Sequence, residues 1–132
     1  MAITVTRDKS GSMTHRIQVR RHVLVVDESP DNGGQDAGPD AHDLYDAALG
    51  ACKALTMLWY ARRKAIPVDD IVVTVERDNA DERQGTYRLR ALLSVTGALS
   101  DEQRQELLRV ASKCPVHKLM TEVKTEIETA WR

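Results

Sequence analysis

Phenylalanine is absent from this chain, and aromatic residues are only 4% of it. The core must therefore be built from Val, Leu, Ile and Ala, with Trp59 and Tyr60 as the bulky exceptions. Cysteine occurs twice, too sparsely for a disulfide-stapled scaffold. No window approaches the roughly 18 apolar residues that a membrane-spanning helix needs. Met1 to Arg7 lacks the apolar stretch of a secretion signal, so a reducing compartment, the cytoplasm, is expected. An excess of one charge is missing too: 19 Lys and Arg face 20 Asp and Glu, for a formal charge of -1. That balance offers no global electrostatic reason to expect nucleic acid or an anionic membrane as partner. The sequence holds no G-x-S-x-G of a serine hydrolase, and no G-x-G-x-x-G or phosphate loop for a nucleotide. Neither C-x-x-C nor H-x-x-x-H occurs, so zinc on Cys52, Cys114 and His117 is a weak reading, and neither metal nor cofactor is expected.

What is present fits one domain over residues 1–132. Residues 2–26 alternate as strands do, with Lys9 to Ser12 a plausible turn. Residues 27–39 are dense in turn formers, a long loop that is a candidate site wall or partner contact. A long helix is expected over about 40–64, capped by Asp40, with Leu44, Ala48, Ala51, Leu55 and Leu58 at helical spacing. A second face of it carries Tyr45, Ala48, Cys52, Leu55 and Trp59, which marks a central helix covered on several sides. Ala47, Ala48, Gly50 and Ala51 are small, so something large should pack near its middle. Ile71–Val75 and Tyr87–Val95 read as a β-hairpin pair, and Ser100 with Gln103 forms a capping-box pattern opening a helix over about 101–113. Residues 114–120 form a short second helix, because Cys114 precedes Pro115, which suits the first helical position. Glu122 to Thr129 alternates as a last strand. Strands, helix, strands, helices, strand is an α+β order.

Cys52, inside the central helix, is by itself most simply a small buried hydrophobe. Cys114 is different, because Pro115 puts its thiol at a helix start. Unpaired backbone N–H groups and the positive end of the helix dipole favour the thiolate there. Lys113 and Lys118 add positive charge, and His117 lies one turn on. These features give Cys114 a reactive environment without saying which cysteine reacts first.

Two segments resemble a known family. Gly38 to Cys52 resembles the central-helix motif of OsmC/Ohr proteins, and Ser112 to Lys118 resembles that family's second cysteine motif. The similarity extends to Trp59–Lys64, to the Gly97–Ser100 entry into the later helix and to the Asp27–Gly34 loop. The resemblance implies an OsmC-like fold: antiparallel sheets, a long central helix and an intertwined homodimer with its cysteines near the interface. It implies a thiol peroxidase of oxidative and osmotic stress defence. Cys52 would attack an organic hydroperoxide, Cys114 would resolve the sulfenic acid as a disulfide, and an external dithiol such as a lipoyl protein would restore both thiols. Helix periodicity suggests a pocket of Tyr45, Leu55 and Trp59, joined by His117. The family's peroxidases also use a glutamate ten residues before the first cysteine and an arginine from the first hairpin. Here the first position is His42, with Asp43 beside it, and the arginine falls to Arg20 among Arg16, Arg20 and Arg21. That departure leaves an alternative, an OsmC-like small-molecule-binding protein without efficient peroxidase activity.

Overall fold

The computed structural model describes residues 1–132. The chain divides into two compact units, Met1–Tyr45 and Asp46–Arg132, and the long helix α1 (Ala41–Arg63) crosses that division.

The first unit carries an antiparallel sheet of β1 (Ile3–Arg7), β2 (His15–Val19) and β3 (His22–Val26), in that order. Asp8 organises the first turn: its Oδ1 accepts from Ser10 N at 3.0 Å, and its Oδ2 meets Arg16 Nε at 3.1 Å. Arg20 and Arg21 make the tight β2–β3 turn, Arg20 at a φ of 53°. The loop over 27–39 is ordered by buried Asp27. Its carboxylate accepts from Glu28 N at 2.8 Å, Thr14 Oγ1 at 3.1 Å and Ala37 N at 3.2 Å. Those bonds, the Glu28 N–H first, hold the Asp27 carboxyl below its usual range against the opposing effect of burial.

Helix α1 begins as expected at Asp40. Asp43 N–H donates to Asp40 Oδ1 at 2.8 Å, and Asp40 N–H donates back to Asp43 Oδ2 at 3.0 Å. This reciprocal arrangement satisfies two otherwise unpaired helix-start donors. Within the second unit the helix buries Asp46, Leu49, Gly50, Lys53, Met57 and Ala61, a stripe at three- and four-residue spacing.

A hairpin of β4 (Val68–Asp78) and β5 (Arg88–Gly97) follows, several residues longer than the sequence pattern suggests. Its partly buried positions, Ile71, Val73, Leu93 and Val95, pack on the core of Met57, Ala61, Ile66, Leu107 and Ala111. Gly50 is where the strand comes closest. A Cβ there would meet Val75 Cγ2 at 3.0 Å. Gly50 therefore makes room for β4, while Ala47, Ala48 and Ala51 are exposed.

Helix α2 (Asp101–Ser112) opens on the expected capping box between Ser100 and Gln103. The short α3 (Pro115–Thr121) opens on Cys114. The strand expected over 122–129 does not form. Residues 124–132 carry no regular structure, and Ile127 and Trp131 are 83% and 99% exposed. An alternating sequence becomes a strand only where a neighbouring edge takes its backbone hydrogen bonds, and no strand pairs with it in this chain.

Candidate functional site

Both cysteines are free thiols, and they meet at the start of α3. Cys52 reaches it from α1: its sulfur accepts from Val116 N at 3.4 Å and lies 3.9 Å from Thr56 Oγ1. Cys114 is the residue preceding that helix, held at φ -62° and ψ 152°, and its sulfur faces the His117 N–H and the Cys52 thiol. Pro115 explains the local fold. It disfavours the helical conformation for Cys114, while its own fixed φ suits the first helical position.

The two thiols differ in environment. Cys52 is half-buried, whereas Cys114 is 0% exposed. Burial pushes the Cys114 thiol up, the His117 N–H pulls it down, and the Cys52 contact pushes it up again. The net direction is upward, which corrects the expectation of a depressed pKa at the helix start. Desolvation of the thiolate outweighs the few N–H groups of a seven-residue helix. Lys113 and Lys118, expected to supply charge, are both exposed. The cation beside Cys114 is Lys53, with its Nζ 3.8 Å from the sulfur.

Lys53 is buried, at 5% exposure. Its ammonium also donates to Ala111 O at 2.8 Å and meets His117 Nδ1 at 3.0 Å. Two turns earlier on the same face, Asp46 is buried against Arg77 Nε at 2.6 Å and accepts from Tyr87 OH at 2.7 Å. The sequence reading missed both residues. The available signal was a Lys and an Asp set among Leu49, Met57 and Ala61 at core spacing, because a charge on a buried stripe needs a dedicated partner.

The expected pocket divides. Leu55 and Trp59 are 68% and 60% exposed, and with Leu58, Arg62 and Arg63 they line an open groove of about 340 Å³. Arg63 stacks over the Trp59 ring at 5.0 Å. His117 lies elsewhere, lining a cleft of about 210 Å³ with Leu49, Lys53, Leu93 and Leu108. In the first unit Tyr45 is 48% exposed. Asp43 is engaged with the Asp40 backbone, and Arg20 has its Nη1 3.9 Å from Met1 Sδ. No group of three His, Cys, Asp or Glu side chains is arranged to hold a metal ion.

The fold and the thiols define an α+β protein whose two cysteines converge on one helix start. The model of the OsmC-like protein family matches residues 33–129, and the chain belongs to that OsmC/Ohr family. Several solved structures share its fold. A candidate osmotic stress induced and detoxification response protein from Psychrobacter arcticus 273-4 aligns at 19% identity over 92% of this chain and 89% of its own, with a TM-score of 0.78. An OsmC-like protein from Mycoplasma pneumoniae aligns at 18% identity over 92% and 87%, with a TM-score of 0.74. The organic hydroperoxide resistance protein OhrB of Bacillus subtilis aligns at 23% identity over 92% of each chain, with a TM-score of 0.58. No curated protein matches the chain.

Proposed function

We propose that this protein is a thiol peroxidase for organic hydroperoxides, with Cys52 as the peroxide-reactive thiol and Cys114 as its resolving partner. The observation that carries this reading is the convergence of two free thiols on the start of α3, half-buried Cys52 through its 3.4 Å bond from Val116 N and fully buried Cys114 as the residue preceding that helix. Cys52 is the sulfur that an incoming molecule can reach, and Cys114 is fully buried beside it, with the Lys53 ammonium 3.8 Å from its sulfur. In the first step the Cys52 thiolate attacks the terminal peroxide oxygen. The O–O bond breaks, alcohol leaves, and the sulfur becomes sulfenic acid. Cys114 then attacks that sulfur, water leaves, and the disulfide awaits an external dithiol.

A homodimer belongs to the same proposal, because the OsmC/Ohr family implies one and large apolar side chains stand exposed, Leu55, Trp59 and Trp131 among them. The cytoplasm, where thiols stay reduced, suits a centre that must be re-reduced after each turnover. No helix is long and apolar enough to cross a membrane.

The test is consumption of cumene or tert-butyl hydroperoxide by purified protein with dithiothreitol or a lipoyl dithiol. Cys52→Ser should abolish turnover, and undiminished activity would sink the assignment. The second reading, a small-molecule-binding member of the family without efficient peroxidase activity, is favoured by the use of the Asp43 carboxylate as a helix cap. It predicts that peroxide leaves both thiols intact by mass spectrometry.

A further inference from the structure

Lys53 is the one charged group in the core beside the thiols that the reaction above leaves unused. An ammonium has three N–H donors, and three acceptors surround this one: Ala111 O at 2.8 Å, His117 Nδ1 at 3.0 Å and Cys114 Sγ at 3.8 Å. None of them is a carboxylate. The helix itself contributes Leu49 and Met57 to its buried stripe, and the hairpin contributes Leu89, Ala91 and Leu93 to the adjoining cleft. The Asp46 carboxylate, on the same stripe, is occupied by Arg77 and Tyr87. A buried ammonium without a compensating anion is costly. The only group in contact with it that can become an anion is the Cys114 thiol.

We propose that Lys53 is the activating residue of the resolving step: its ammonium, 3.8 Å from the sulfur, stabilises the Cys114 thiolate when it forms and attacks oxidised Cys52. The proposal rests on the peroxidase reading for its place in the cycle, but the Lys53–Cys114 pairing stands on the geometry alone. The proton of Cys114 leaves to solvent through the cleft of about 210 Å³ that Lys53 and His117 line. The thiolate then forms the S–S bond as the S–O bond of the Cys52 sulfenic acid breaks. The departing hydroxide takes up one proton and leaves as water, so the step needs no oxidant beyond the peroxide already consumed. His117, through Nδ1, orients the ammonium. The Lys53 charge draws the Cys114 thiol downward in opposition to burial, so its removal leaves burial unopposed.

The experiment uses full-length Cys52→Ser protein, in which Cys114 is the sole thiol, and follows thiolate ultraviolet absorbance against pH. Lys53→Met should raise the midpoint by about one unit, roughly tenfold less thiolate below it. Lys53→Gln, which keeps hydrogen bonding without charge, is the second variant should Lys53→Met fail to fold. Lys53→Arg should hold the midpoint near that of the parent. Unchanged midpoints in the neutral variants, or a shift in Lys53→Arg equal to theirs, overturn the proposal. With Cys52 restored, a sulfenic-acid trap should label Cys52 more in Lys53→Met than in the parent after peroxide. Failure of both proteins to form sulfenic acid would defeat the peroxidase reading, while the titration still judges the Lys53–Cys114 pairing.

Discussion

Arg77 Nε lies 2.6 Å from Asp46 Oδ2, joining strand β4 to helix α1 six residues before Cys52. Tyr87 closes the same site from the position just before β5, its hydroxyl 2.7 Å from Asp46 Oδ1. One carboxylate thus ties β4 and the entry into β5 to the helix that carries Cys52. Asp46→Asn removes the anion that Arg77 and Tyr87 both face. The expected loss is about 2–3 kcal/mol, below the full value for a deeply buried pair because the Arg77 side chain is 29% exposed. Urea unfolding of the two proteins measures it.

Tyr87 makes this site sensitive to alkali. Burial first, then the Asp46 hydrogen bond and charge, push its hydroxyl from 10.0 up to about 12. A group raised in the folded state contributes stability below its unfolded pKa and loses it as pH rises through the folded one. Stability should therefore decline between pH 10.0 and about 12, and Tyr87→Phe should blunt that decline. A tyrosinate titration of the folded protein should show the Tyr87 ring ionising late, and Tyr87→Phe should remove that step while leaving the Tyr60 ring, which its Glu106 hydrogen bond also raises.

The thiols should separate kinetically. A small neutral alkylating reagent should modify half-buried Cys52 before fully buried Cys114 in the native protein, with the difference vanishing in denaturant. Peptide mass spectrometry over time reads both sites. Native labelling of Cys114 first would reverse the proposed roles.

Met57 is 0% exposed in an aliphatic core, so Met57→Ala should cost about 3 kcal/mol through lost burial and a residual cavity. Ser100→Ala, which removes the α2 cap, should cost about 1 kcal/mol. Ser100 bonds Gln103 while Met57 packs among Ala61, Ile66, Leu107 and Ala111, so the two effects should add in thermal or urea unfolding.

Leu55, 68% exposed on the outer face of α1, tests the proposed homodimer. Light scattering should give twice the chain mass for the parent and the chain mass for Leu55→Glu. A monomeric parent would refute the dimer.

Much of the fold was legible along the chain because it rests on local chemistry. Asp40 before the apolar helix, the Ser100–Gln103 pair and Pro115 after Cys114 each specify a helix start from a few neighbouring residues. The strand content of the hairpin followed from β-branched residues between turn formers. The flanks of the two cysteines identified the family.

The sequence by itself determined the α+β class, the helix boundaries and the family. Tertiary structure decided what surrounds those thiols. No local pattern shows that Lys53, rather than Lys113 or Lys118, reaches the Cys114 sulfur, since 61 positions separate the pair. Nor could spacing show that Cys114 is fully buried, so that desolvation overrides a helix start in setting its pKa. The failed strand over 122–129 has the same origin. Alternation defines two faces, but a strand exists only where another edge completes its hydrogen bonds, and which groups lie opposite is settled by packing.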